Sequence, residues 1–206
     1  MKNRFIRLLQ KYTTDETYLH ELWLHLHHCY TEKHRTYHNL THLEELFHYF
    51  DRYSNELSEP NIVSFSIFYH DIVYKIWKTN NEEKSAEMAL NKLQKLNLSP
   101  FFLEGIKSQI LATKTHKATS NDTQFLIDFD LAILGQSGEE YQKYAKNIRK
   151  EYDKVPSFLY KKGRKKVLQH FLTTKTIYQT KIFRNKYEVQ ARTNLENELK
   201  TEFYGF

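Results

Sequence analysis

The sequence predicts an all-α fold, a single compact multi-helix domain over residues 1–206, and three observations predict it. Glycine and proline are scarce, five and three in 206 residues. That is too few to punctuate a many-stranded β-sandwich or to supply the Gly-rich turns of a dinucleotide fold. Apolar residues recur at three- and four-residue spacing in one segment after another. No internal repeat or low-complexity linker interrupts them, and 40% hydrophobic with 27% charged residues is a globular composition with enough apolar side chains for a core.

The first helix runs from about 15 to 30 behind Asp15, a good N-cap, with Leu19, Leu22, Trp23, Leu26 and Tyr30 on one stripe. His20, His25, His27 and His28 mostly fall off that stripe and belong to the surface. A second helix follows Thr41-His-Leu-Glu44, a capping-box pattern, with Leu43, Leu46, Phe47 and Phe50 inside. A third starts near Pro60, suited to a first helical position, and continues through Val73 with apolar residues nearly all round, which predicts the central buried helix. Asn80-Asn81 would cap a fourth, with Glu82 and Glu83 in its first turn and Ala86, Ala89, Leu90, Leu93 and Leu96 inside. Ser99-Pro100 opens a fifth that ends near His116. A sixth, from about Asp122 to Leu134, stops at Gly135, a residue that accepts the left-handed end conformation. Tyr141, Tyr144, Ile148 and Tyr152 mark a seventh, and helical pattern continues on both sides of Gly163 and from about Lys186 to the end.

Composition also excludes. The longest weakly polar run, Ile62–Tyr69, is far short of the roughly 20 residues of a membrane span. The first ten residues turn polar too soon for a signal-peptide core. The one cysteine, Cys29, allows neither an internal disulfide nor a cysteine-based zinc site. The expectation is a cytoplasmic protein without a membrane partner. The net charge is +6, and residues 149–192 hold 13 basic and 3 acidic residues, so the positive field belongs to the C-terminal third. It is either a solvated face or an attractor of phosphate. Nine of the 11 histidines lie between His20 and His70.

His70-Asp71 is a histidine-aspartate pair in the helix judged most buried. A buried carboxylate is costly unless it is paired, hydrogen-bonded or metal-bound. Consecutive side chains on a helix diverge by about 100° and face each other poorly, whereas an ion beside the helix accepts both. His42, His116 and Asp128-Phe-Asp130 offer further ligands from separate helices. Asp128 and Asp130 diverge by about 200°, so one can point inward and the other toward solvent. Imidazoles with carboxylates suit Mn, Fe, Co, Ni or Zn better than Ca. Magnesium is a further candidate.

The order His42, His70-Asp71, Asp130 resembles the signature of the HD superfamily of metal-dependent phosphohydrolases. Arg35-Thr-Tyr-His-Asn-Leu-Thr-His42, Phe68-Tyr-His-Asp-Ile-Val-Tyr74, Asn81-Glu-Glu-Lys-Ser-Ala86, Thr113-Lys-Thr-His116 and Asp128-Phe-Asp-Leu-Ala-Ile-Leu-Gly135 are similar to successive blocks of a bacterial subfamily of predicted metal-dependent HD phosphohydrolases. Gly163-Arg164 and Ala191-Arg-Thr-Asn194 fit it too. The resemblance implies an HD-type helical domain in which His42, His70, Asp71 and Asp130 bind one divalent ion. His42 is preferred to His38 because the apolar stripe follows it. Asp71 would orient the attacking water, and His116 or His38 would assist the leaving oxygen. Arg35 and Lys84 match recurring block positions and are candidate phosphate contacts. Arg164, beside Gly163 in a turn that would place a guanidinium near an anion, is a third.

The expected activity is hydrolysis of a phosphoester in a nucleotide or another small phosphorylated metabolite. The alternative is a metal-stabilised nucleotide- or nucleic-acid-binding module without hydrolysis. No helix-turn-helix, RNA-recognition or OB-type signature supports direct reading of nucleic acid.

Overall fold

The computed structural model describes residues 1–203, and these hold ten α-helices and no strand. The protein is all-α. The chain groups into two compact units, Met1–Phe129 and Asp130–Phe206. The end of the last predicted helix, residues 204–206, lies outside the described residues.

The first unit is organised around the most apolar helix, α4 (Pro60–Tyr69), in which every residue from Ile62 to Tyr69 is buried. Four helices pack on it: α1 (Lys2–Leu9), α3 (Leu40–Tyr53), α5 (Asn81–Leu93) and α6 (Pro100–Thr115). Its two buried serines are tolerated because the hydroxyls need not go unpaired, and Ser66 Oγ donates to the Ile62 carbonyl at 2.9 Å. The start of α4 has no cap of its own. Ser58 N and Glu59 N donate to the two carboxylate oxygens of Asp122, at 2.9 and 2.7 Å, from α7 (Asn121–Leu131). The end of α4 is earlier than the apolar pattern suggests. The helix stops at Tyr69 rather than running through Val73, and His70 is its C-cap.

The helix α2 (Glu16–Tyr30) buries the predicted stripe, and Asp15 caps it through Tyr18 N. In α3 the cap is Asn39, which accepts from Thr41 N at 2.9 Å, two residues before the Thr41 capping box. The helix α1 is absent from the sequence reading. Its three buried residues, Phe5, Leu8 and Leu9, are a short stripe, and Phe5 meets Phe68 edge-on at 4.7 Å between centroids.

The second unit contains the 3-10 turn Ala132–Gly135, α8 (Gly138–Glu151), α9 (Ser157–Thr173) and α10 (Lys181–Phe203), with α10 packed on the turn and on α9. Two glycines here behave differently from expectation. Gly135 is needed for close approach: a Cβ there would stand 2.5 Å from Tyr187 Cβ and 2.8 Å from the Tyr178 hydroxyl. Gly163 lies inside α9 and not in a turn, and nothing stands within 4 Å of a Cβ at that position. The Ala191–Asn194 block is structural. Asn194 donates to the Leu134 and Gln136 carbonyls at 2.8 Å each, and Arg192 donates to the carbonyls of Leu172 and Thr174. Among the described residues no helix is long and apolar enough to cross a membrane.

Candidate metal centre

Three side chains of the first unit converge. His42 sits in the first turn of α3, where the Asn39 cap sets the helix start; His70 closes α4; Asp71 begins the turn that follows. His42 Nε2 and His70 Nε2 are 3.3 Å apart, and Asp71 Oδ2 lies 3.3 Å from His70 Nε2 and 3.9 Å from His42 Nε2. Both imidazole side chains are 1% exposed and that of Asp71 is 16% exposed. Asp71 follows the last residue of α4 and its C-cap, and its carboxylate lies beside the imidazole of its chain neighbour.

The donor set fits a divalent transition ion. His70 Nδ1 faces the Ile67 carbonyl at 2.9 Å, and a carbonyl only accepts, so Nδ1 carries a proton. In the neutral ring Nε2 is then a lone pair, and it points at a carboxylate oxygen and a second imidazole nitrogen. Such a convergence of acceptors requires a cation or a proton between them. Two ligands at about 2.1 Å from one ion, separated by 90 to 109°, stand about 3.0 to 3.4 Å apart. The two 3.3 Å spacings meet that requirement, and the 3.9 Å between His42 and Asp71 is wider than it by about half an ångström. The His42, His70 and Asp71 cluster can therefore hold a metal ion.

His38 approaches the same carboxylate oxygen at 3.9 Å from a more open position, with 18% of its side chain exposed against 1% for His42. Its ring stacks on Tyr74 at 4.2 Å. Burial alone would raise the Asp71 carboxyl, but the imidazoles of His70, His38 and His42 outweigh it and hold it well below the ordinary carboxylate range.

Arg35 has a different place from the expected one. Its side chain is fully covered, Nε donates to Glu32 at 3.1 Å, and the guanidinium nitrogens donate to the backbone carbonyls of His38, Asp71 and Ile72 at 3.2, 2.6 and 3.0 Å. One guanidinium thus ties the loop bearing His38 to the turn bearing Asp71. It positions ligands; its donors face the chain.

Lys84 forms an exposed ion pair with Glu87 on its own helix. The lysine that reaches the start of α5 is Lys114, which bonds the Thr79 carbonyl and Glu83 and lies 3.9 Å from Glu82. Burial, assisted by the Asp71 charge, raises the Glu82 carboxyl, while the Lys114 ammonium lowers that of the exposed Glu83. His116 ends α6 as a left-handed cap with φ 52°. Asp128 is fully buried and Asp130 partly exposed, the unequal pair that their angular separation predicts.

Arg164 belongs to the second unit, and its charge is already matched. The guanidinium makes two bonds to Glu198, at 2.7 and 2.8 Å, and faces the hydroxyls of Tyr144 and Tyr141 at 3.3 and 3.4 Å. The sequence reading missed Tyr74 and Lys114. Both stand in its motif blocks, but spacing along the chain assigns neither a partner. No family model, curated protein or solved structure matches this chain.

Proposed function

We propose that the protein is a divalent-metal-dependent phosphohydrolase of HD type acting on a nucleotide or another small phosphorylated metabolite. The observation that carries the reading is the meeting of His42 Nε2, His70 Nε2 and Asp71 Oδ2 beside a His70 ring whose other nitrogen is committed to the Ile67 carbonyl. The resemblance of the sequence blocks adds Asp130 as a fourth ligand.

A divalent ion held by these residues would lower the pKa of a bound water and polarise a phosphoryl oxygen. The chain does the rest. Asp71 would hold the ion through its carboxylate and could orient the water from there. His38, more open than His42 and braced by Tyr74, is the imidazole placed to exchange a proton with a substrate oxygen. Arg35 keeps the His38 loop and the Asp71 turn in register without touching substrate.

Metal analysis of the purified protein, followed by a phosphate-release screen of nucleotides and phosphorylated metabolites with that metal restored, tests the reading. Release that disappears in His70→Ala and Asp71→Asn supports it. Full metal occupancy in Asp71→Asn, or release indifferent to both changes, sinks it. The nucleic-acid-binding alternative loses part of its basis, because Arg164 and Arg192 of the basic segment are committed to internal partners.

A further inference from the structure

Helix α9 presents a second face to solvent. Its inner face is set by Arg164, Leu168 and Phe171, buried at helical spacing. The opposite bearing carries Phe158, Lys162 and Lys166 in a line, each four residues from the next. Leu159 stands beside them, since it is seven positions before Lys166 and shares nearly one bearing with it. Phe158 is 71% exposed and Leu159 45%, and both lysines are exposed. A helix that already buries one stripe in its own unit gains nothing in folding from large apolar side chains left in water on the other.

The charge on that face has one sign. No acidic residue occurs between Asp153 and Glu188, so α9 offers its lysines no carboxylate of its own. Two of the acids that follow are engaged elsewhere: Glu188 accepts from Arg192 and from the amides of Ile177 and Tyr178, and Glu198 pairs with Arg164. Among the described residues Lys162 and Lys166 are held in no ion pair. The arginines of this segment are committed to the chain, Arg149 to the Tyr152 carbonyl, Arg164 to Glu198, Arg184 to the Gln179 carbonyl and Arg192 to the Leu172 carbonyl. The outer face therefore combines lysine with one benzyl and one aliphatic side chain. Nucleic acid is held best by arginine forks and stacked rings. Lysines on long apolar stems beside Phe and Leu instead match the boundary of a bilayer, where ammonium groups meet anionic headgroups and apolar side chains enter the acyl edge.

We infer that the outer face of α9 is a peripheral contact for a membrane surface rich in anionic lipid, with Lys162 and Lys166 at the headgroups and Phe158 and Leu159 at the acyl boundary. Such a contact lies on the bilayer and needs no spanning helix, and it departs from the expectation of no membrane partner. It is independent of the proposed hydrolysis.

Co-sedimentation of the full chain with vesicles of phosphatidylcholine, alone or mixed with phosphatidylserine, tests it. Partition onto the phosphatidylserine vesicles should be stronger by about tenfold or more, and should fall as salt is raised. Lys162→Glu with Lys166→Glu should remove that preference. Phe158→Ser with Leu159→Ser, which keeps both lysines, should weaken partition by about tenfold. Lys33→Glu with Lys78→Glu, at exposed positions of the first unit, changes the net charge equally and should leave most of the binding in place. Equal loss in the two charge-reversed pairs would make net charge the cause and overturn the inference. Partition indifferent to Phe158 and Leu159 also overturns it, as does no partition onto either vesicle. A single-stranded oligonucleotide bound through Lys162 and Lys166, with no binding to the phosphatidylserine vesicles, would make the face a nucleic-acid surface instead. All the substituted side chains are exposed, and circular dichroism of each variant guards against misfolding.

Discussion

His70 Nε2 lies 3.3 Å from Asp71 Oδ2 although the two residues are adjacent in the chain. The contact sits at the end of α4, which stops at Tyr69 just before the pair. His70 still has helical dihedrals, φ −58° and ψ −39°, and the chain turns after it.

The first prediction follows from that contact. Metal-free protein should lose stability in acid through Asp71, whose pKa is depressed in the folded state by the surrounding imidazoles. A depressed carboxyl stabilises the fold above its unfolded value, about 4, and that contribution fades as pH falls below it toward the folded value. Urea midpoints with chelator should place wild type above Asp71→Asn at pH 7, with the gap narrowing below about pH 4. A gap that widens in acid would reverse the assignment.

Arg35→Lys should behave as a positioning defect. A lysine cannot reach Glu32 and three carbonyls at once, and each buried carbonyl left unpaired costs roughly 1 to 3 kcal/mol. Thermal unfolding should show a loss of about 2 kcal/mol or more, together with weaker metal binding by competition with a chromogenic chelator. A change confined to KM for a phosphorylated substrate, with the melting temperature intact, would restore Arg35 as a phosphate contact.

Arg164→Ala leaves the nearly buried Glu198 carboxylate without its guanidinium, with the Tyr141 hydroxyl still donating to it, and breaking such a pair typically costs about 3 to 5 kcal/mol. Replacing both, Arg164→Met with Glu198→Leu, should recover most of that loss in urea denaturation. Failure of the double change to recover stability would mean that the pair does more than balance its own charges.

The two glycines should respond with opposite signs. Gly135→Ala drives a methyl into the Tyr187 backbone and Cβ and should cost roughly 1 to 3 kcal/mol. Gly163→Ala, in a helix with open space around it, should gain about 0.5 to 1 kcal/mol. Equal effects in denaturant unfolding would contradict both packing descriptions.

Much of this was legible in the sequence because it is local. The stripe of α2, the Asp15 cap and the buried character of α4 depend on neighbours within a turn or two, and they appear where periodicity puts them. His42, His70 and Asp71 were legible as a chemical set, since a carboxylate beside an apolar run demands a partner. Helix ends were less so. The Asn39 cap and the early stop at Tyr69 compete with plausible signals a few residues on. The roles of Arg35 and Arg164 were hidden for a different reason. Arg35 meets Asp71 across 36 positions, and Arg164 meets Glu198 across 34, separations at which a sequence shows the charge but not what it faces. Gly135 was recognised as special for its backbone freedom, whereas the fold uses its missing side chain.

The central helix α4 is finished at both ends by residues far away in the chain: Asp122 accepts from the two amides just before it, across 63 and 64 positions, and Arg35 fastens the turn behind it across 36 and 37. Closing loops of that length costs entropy before the contacts return any energy. Contacts of that separation predict that the segment 60–72 docks late in folding, with the His70–Asp71 corner formed after the chain on both sides has wrapped around it. A metal ion held at that corner would then join the completed first unit rather than seed its folding, so stopped-flow refolding with and without the ion should share one folding rate and differ in the rate of unfolding.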